Sequence, residues 1–211
     1  MRGLFNYDGP LITFFSKIGD CVLLSVLWVL FSLPVITLGA ATTALYHGVR
    51  KVLKEDQNGL FSHFWEGFRD NFKQSTLIWL VVLAILAVLG LSGRSAWILF
   101  EAGQITKLPL ILLGVVYALV ILWILYLFPC VDRFESTVGR ILRSCAQVAG
   151  LNLLWSLMLL LIFVLAVVLA VWLPVGLLVA PGAAMFASCQ ILEHVFKKYM
   201  DEDASEEGAV E

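Results

Sequence analysis

The chain predicts an all-α membrane protein: a bundle of about five transmembrane helices with cytoplasmic amphipathic interfacial helices. Two observations carry that prediction. Residues 144–192 form a run of 49 without one Asp, Glu, Lys or Arg. As a helix rising about 1.5 Å per residue the run would be roughly 74 Å long, against a bilayer hydrocarbon core about 30 Å thick. It must therefore cross twice, or cross once and re-enter. The second observation is composition. Of 211 residues 61% are hydrophobic and only 14% charged, with a mean hydropathy of +0.93. A soluble domain carries about 25% charged residues, so too few ionic groups remain here to cover a water-facing surface.

Length fits one membrane domain over residues 1–198, followed by an acidic tail at 199–211 whose composition predicts disorder. The formal net charge of −2 argues against a nucleic-acid partner, which needs a concentrated basic face. The first residues carry Asp8 and Asp20 among their few charges, and an uncleaved first span is the simpler reading than a signal peptide. Cys21, Cys130, Cys145 and Cys189 show no CxxC spacing and lie in or beside apolar runs, the pattern of buried free thiols.

Residues 1–18 read as an amphipathic start lying in the interface, with turn chemistry at Asp8, Gly9 and Pro10. The first span is expected at 20–38, with Pro34 kinking it near its end. Pro34, Gly39, Ala40 and Ala41 are the helix-packing candidates, since small residues let membrane helices approach closely. Helix can continue through Leu53, and residues 55–60 form a polar turn.

Phe61, Phe64, Trp65, Phe68 and Phe72 recur at helical spacing, with Glu66, Arg69, Asp70 and Lys73 opposite them. This helix is either an interfacial anchor or a cytoplasmic helix that docks a partner through its charges. The second span is expected at 75–91, a loop at 92–107 and the third span at 108–131, with Trp123 and Tyr126 as interface anchors. A second amphipathic stretch follows at 132–150. The fourth span is expected at 151–173 and the fifth at 175–192, with an outer turn at 172–176. Pro181 and Gly182 leave open whether the fifth spans or re-enters. Gly39-Ala40-Ala41 echoes Gly182-Ala183-Ala184, as an inverted repeat or shared packing chemistry would.

Lys and Arg bias sets orientation. With five spans, ten basic residues fall on one side and four on the other, which predicts the N-terminus outside and the C-terminus cytoplasmic. His47, His63 and His194 show neither ligand spacing nor a consistent acidic partner, so no metal site is expected. No mid-span carboxylate marks an ion path, and Lys17 with Asp20, and Glu193 with Lys197, read as surface ion pairs. No nucleotide motif and no nucleophile–base pair is visible, so neither an enzyme nor a cofactor is expected.

Asn6-Tyr7-Asp8-Gly9-Pro10-Leu11, Lys17-Ile18-Gly19-Asp20, the stretch from Ser32 to Ala40, Thr43-Ala44-Leu45-Tyr46 and Asn71-Phe72-Lys73-Gln74 appear in that order. Together they resemble the YesL-like integral membrane proteins of Gram-positive bacteria, most closely over residues 4–80; in the second half Pro129 followed by Asp132-Arg133-Phe134 is the best local piece. The resemblance implies an all-helical membrane protein of undetermined biochemical role. Such proteins are often encoded beside sugar-uptake ABC transporters, which implies an accessory part in carbohydrate ABC transport or its sensing, with transporter or sensor-kinase subunits as partners. The alternative is a small stand-alone transporter or channel. The resemblance carries over no catalytic residues.

Overall fold

The computed structural model describes the backbone of residues 10–104, 106–133, 138–172 and 176–207, with side chains from 16 to 194 within those ranges except 153 and 177. Every regular element among them is helical: α1 (Pro10–Ser32), α2 (Leu38–Gly48), α3 (Leu60–Glu101), α4 (Lys107–Arg133), α5 (Val138–Leu151), α6 (Leu153–Trp172) and α7 (Gly176–Glu207). A short 3-10 turn (Val35–Thr37) joins α1 to α2, and α2 runs into a π-helical turn (Val49–Lys54).

Pro10 opens α1, where its missing N–H costs nothing. Helix α1 stops at Ser32 because the residue before a proline is pushed out of the helical region. Pro34 is therefore no kink within a span; it sits in an exposed turn with Leu33, Val35 and Ile36. The Val35 carbonyl, which also accepts from the Leu38 N–H, accepts a hydrogen bond from Trp79 Nε1 at 2.6 Å, which fastens the turn to α3. The expected first span at 20–38 thus ends at Ser32, and residues 33–37 form the turn that leads into α2.

Three helices among the described residues are long and apolar enough to cross a membrane, not the five expected: α3, α4 and residues 154–172 of α6, with mean hydropathies of 2.5, 2.8 and 3.0 over their best windows. Their apolar side chains point outward. Ile111, Leu112, Val115 and Leu119 of α4 and Leu157, Leu161 and Leu165 of α6 are all more than half exposed. So broad an apolar surface cannot face water, and a bilayer is its natural solvent. The chain is a membrane-embedded helical protein.

Helix α3 differs most from expectation. The amphipathic segment, the second span and most of the loop at 92–107 are one unbroken helix of 42 residues, about 63 Å long at 1.5 Å per residue. No Pro interrupts it, and the polar residues 92–95 continue the helix beyond the apolar window rather than breaking it. Just before α3, Gly59 takes φ +101° to turn the chain in. Tyr117 ties α4 to α3 through a hydrogen bond to the Leu89 carbonyl at 2.7 Å.

The most buried helix is the short α2. Gly39, Ala40, Ala41, Thr43, Ala44, Leu45, Tyr46 and Gly48 are all buried, enclosed by α1, α3, α4 and α7. Two glycines permit this. A Cβ on Gly39 would lie 2.6 Å from Trp79 Cβ and 2.8 Å from the Ser75 carbonyl oxygen, and a Cβ on Gly67 would lie 2.6 Å from His47 Cβ. Thr43 Oγ1 and Ser75 Oγ hydrogen-bond across the seam at 2.9 Å.

A second close crossing joins α1 to α7. Pro181 removes a backbone donor inside α7, and at the next residue the Gly182 N–H donates to Ser25 Oγ at 2.8 Å. A Cβ on Gly182 would lie 2.5 Å from the Cys21 carbonyl oxygen. Helix α5 is a separate amphipathic helix, with Ile141, Cys145, Val148 and Ala149 inward and Arg140 and Arg143 exposed. Tyr126 is no interface anchor: it is fully buried, and its hydroxyl pairs with Ser156 Oγ at 3.1 Å. All four cysteines are free, and three are buried.

The hairpin of α1 and α2 puts Lys17 beside the turn that follows α2. Its Nζ donates to the Leu53 carbonyl at 3.1 Å and pairs with Asp56 at 2.8 Å, not with Asp20. Lys17 therefore lies at the same end of the bundle as the first basic connection, whereas five spans had placed the two on opposite sides. Helix α7 runs on to Glu207, into the segment expected to be a disordered tail. Residues 1–9 of the amphipathic start, 208–211 of the tail and 173–175 of the outer turn lie outside the described residues.

Gly39→Ala should force α2 away from Trp79. Overpacking of this kind costs about 1–3 kcal/mol, and a fall in the unfolding temperature of the detergent-solubilised protein, absent in Gly90→Ala where nothing lies within 4 Å, checks it.

Candidate functional site

One end of the bundle gathers charges that the sequence scatters over 147 positions, from Tyr46 to Glu193. Two carboxylates organise it. Asp132, one turn after Pro129 near the end of α4, has a side chain only 1% exposed. His47 Nδ1 lies 2.5 Å from its Oδ1. Arg50 donates to its Oδ2 from Nε at 3.2 Å and from Nη2 at 3.0 Å. Arg50 also reaches Glu55 Oε1 at 3.1 Å, and Lys51 holds Glu55 Oε2 at 3.1 Å. One arginine thus joins the π-helical turn to α4. The π-helical turn carries Arg50, Lys51 and Lys54, of which the first two share Glu55 and the third reaches Glu193.

The second carboxylate is Glu193 of α7. It accepts from Tyr46 Oη at 2.9 Å and Arg133 Nε at 2.9 Å, forms a second contact with Arg133 Nη2, and pairs with Lys54 Nζ at 3.1 Å. Burial alone would raise the Glu193 carboxyl, but the hydrogen bonds from Arg133, Lys54 and Tyr46 outweigh it and hold the group below its ordinary value. Burial, with Cys189 and Glu193 nearby, raises the Tyr46 phenol, so it remains a donor at neutral pH. The expected partner of Glu193 was Lys197, whose side chain lies outside the described residues.

A third group borders the first. His63 and Glu66, one turn apart in α3, face His47 across the Gly67 notch. His63 Nδ1 lies 3.4 Å and His47 Nε2 lies 4.0 Å from Glu66 Oε2. One ligand atom from each of these three residues falls within 4.8 Å of the others. The sequence offered the histidines no consistent acidic partner, but His47 meets Asp132 and His63 meets Glu66. Linear spacing cannot show the first contact, because His47 meets Asp132 only when α2 folds beside α4, whereas His63 to Glu66 is one helical turn. His194 packs on Trp155, with ring centroids 5.4 Å apart.

The aromatic stripe of α3 divides. Phe64 is fully buried and Phe68 half-buried, both against Phe31 with centroids 5.5 and 5.0 Å away. Phe61, Trp65 and Phe72 are exposed, as are Glu66, Arg69, Asp70 and Lys73. The segment is the first part of the long α3, not a separate helix lying in the headgroup plane. Among the packing candidates, Gly39, Ala40 and Ala41 are buried in the α2 seam and Pro34 is exposed. A polar cleft of about 190 Å³ opens nearby, lined by Lys17, Asp20, Asp56 and Asn58 among others.

The ion network was missed from sequence. The signal available was Pro129 followed by Asp132 and Arg133 at the end of an apolar run, which reads as a helix end at the water interface. Nothing local says that the Asp132 carboxylate turns inward. The arrangement fastens four chain segments at one level; it contains no nucleophile paired with a base among the described residues.

Residues 21–92 match a family described as "Protein of unknown function, DUF624". That region contains the Gly39 seam, His47, Arg50 and the charged start of α3. No curated protein and no solved structure matches the chain.

Asp132→Ala should leave the buried Arg50 with Glu55 alone and His47 Nδ1 without its acceptor. Removing one member of a buried pair costs about 3–5 kcal/mol, and thermal unfolding with helical circular dichroism should show a loss of that order, against a near-neutral Asp70→Ala on the exposed face.

Proposed function

We propose that this chain is an accessory membrane component of a carbohydrate ABC transport or sensing system, and that it docks a partner subunit through the first turns of α3. The single observation behind the docking surface is the exposed row Glu66, Arg69, Asp70 and Lys73. Their spacing of three, one and three puts them on one helical face. The same stretch of α3 is held from behind by Gly67 against α2 and by Phe64 against Phe31. A charged face on a helix whose backbone is already fixed loses little backbone freedom on binding, which favours recognition. The link to carbohydrate uptake rests on the resemblance to YesL-like proteins, and the family match over 21–92 supports it only as far as a membrane protein of undetermined role.

A stand-alone transporter or channel is the weaker reading. The cleft at Lys17 and Asp56 is lined only by residues from α1 and the 52–60 segment, so it lies at one end of the bundle. No observation favours a path from there along the spanning helices.

Orientation follows from the basic residues. The end with the ion network carries Lys17, Arg50, Lys51, Lys54 and Arg133, while the far end carries Arg94 and Lys107. The positive-inside bias then places the network end in the cytoplasm. Lys17 and Glu193 share that end: α7 begins against Leu169 and brings His194 back to Trp155, a fourth traverse beside the three apolar helices, so the described chain enters and leaves on the cytoplasmic side. Epitope tags placed before residue 10 and after residue 211 should both be protected in intact spheroplasts. Labelling of the first tag from outside would restore the opposite orientation for the N-terminus.

Purification from native membranes should recover a transporter or sensor-kinase subunit with the wild-type protein. Arg69→Glu with Lys73→Glu should lower that recovery several-fold while membrane insertion stays intact. Recovery of the protein alone, or equal recovery with the double variant, would defeat the reading.

A further inference from the structure

We infer that His47, His63 and Glu66 form a binding site for a divalent transition cation of the zinc class, clamping the end of α2 to the start of α3. The geometry begins at Asp132. Its carboxylate is buried and fixed by two donors from Arg50, which keeps it an acceptor. His47 Nδ1, 2.5 Å away, must therefore be the donor in that contact. In the neutral ring this tautomer leaves a lone pair on Nε2. That atom is buried and has no hydrogen-bond partner. It lies 4.0 Å from Glu66 Oε2, so two electron-rich groups face each other across a short gap. A cation between them removes the conflict.

The third ligand comes from local helix geometry. His63 and Glu66 are separated by three positions and so share a face of α3, with His63 Nδ1 3.4 Å from Glu66 Oε2. Bonds of about 2.0–2.1 Å to a tetrahedral zinc ion place neighbouring ligand atoms about 3.4 Å apart. The His63–Glu66 edge already has that length; the His47–Glu66 edge, at 4.0 Å, and the remaining one, within 4.8 Å, contract on binding. Gly67 allows the approach, because a Cβ there would lie 2.6 Å from His47 Cβ and 2.9 Å from its Cγ.

Two imidazoles and one carboxylate suit zinc better than magnesium or calcium, which prefer all-oxygen shells. The outer arrangement fits as well. A carboxylate that accepts the remaining ring N–H is the usual orienting partner of a metal-bound histidine, and Asp132 stands in that place. Glu66 is more than half exposed, so the ion can enter from solvent. Three protein ligands leave a fourth position for water or for a group on a partner. The competing explanation is an imidazolium at His47 that pairs with both carboxylates and needs no metal.

Tag-free full-length protein in nanodiscs, dialysed against buffered Zn²⁺ and analysed for bound metal, tests the assignment. One zinc per chain is expected. His63→Ala and Glu66→Gln, both at the accessible side of the site, should each weaken binding at least tenfold while helical circular dichroism is unchanged. Co²⁺ in place of zinc should give visible ligand-field bands that the same variants remove. Absence of bound zinc in the wild type would support the imidazolium arrangement and overturn the site. Equal binding by wild type and both variants would place the metal elsewhere and overturn it too.

Discussion

The Asp132 carboxylate is the constraint on which the polar end of this bundle depends. It is nearly inaccessible, and a buried carboxylate is tolerated only when its lone pairs are matched by donors. Arg50 and His47 supply them from α2 and its π-helical extension. The chain cannot slide α2 along α4 without stranding a charge. Glu193 repeats the device from α7, drawing that helix to Arg133 and Lys54 through the same helix ends. Two carboxylates thereby fix the relative heights of α2, α4 and α7.

Packing along the rest of α2 follows a different rule. In lipid the hydrophobic effect does not drive helices together, so close contact and hydrogen bonds must. Gly39 and Gly67 are notches into which Trp79 and His47 fit, and Thr43 bonds Ser75 between them. Gly182 plays the corresponding part for α1, with Ser25 accepting the N–H beside the Pro181 break. The two glycines that echo each other in sequence both mark close crossings, though against different partners.

These two sets of contacts divide the molecule's roles. The apolar windows of α3, α4 and α6 turn outward to lipid. The charged start of α3 emerges from the same seam that the glycines close, so any partner meets a helix whose position is set by both glycine contacts and by Asp132. A cation held by His47, His63 and Glu66 would join the docking helix directly to that network, since His47 belongs to both.

Membrane residence was legible in the sequence, because a run of 49 uncharged residues admits no other solvent. So were the spans in α4 and α6, where hydropathy alone sets the bounds to within a few residues, and the free cysteines. The break at Pro34 reads from sequence as a kink, and the unbroken α3 as three pieces, because polarity marks helix ends and changes of surroundings alike. The exposed charges of α3 could be read from spacing; the inward turn of Phe64 and Phe68 could not, since it depends on Phe31 arriving from α1. Local chemistry fixed what each segment is soluble in. Tertiary structure alone decided which charges meet, because His47 and Asp132, 85 residues apart, become neighbours only through helix packing.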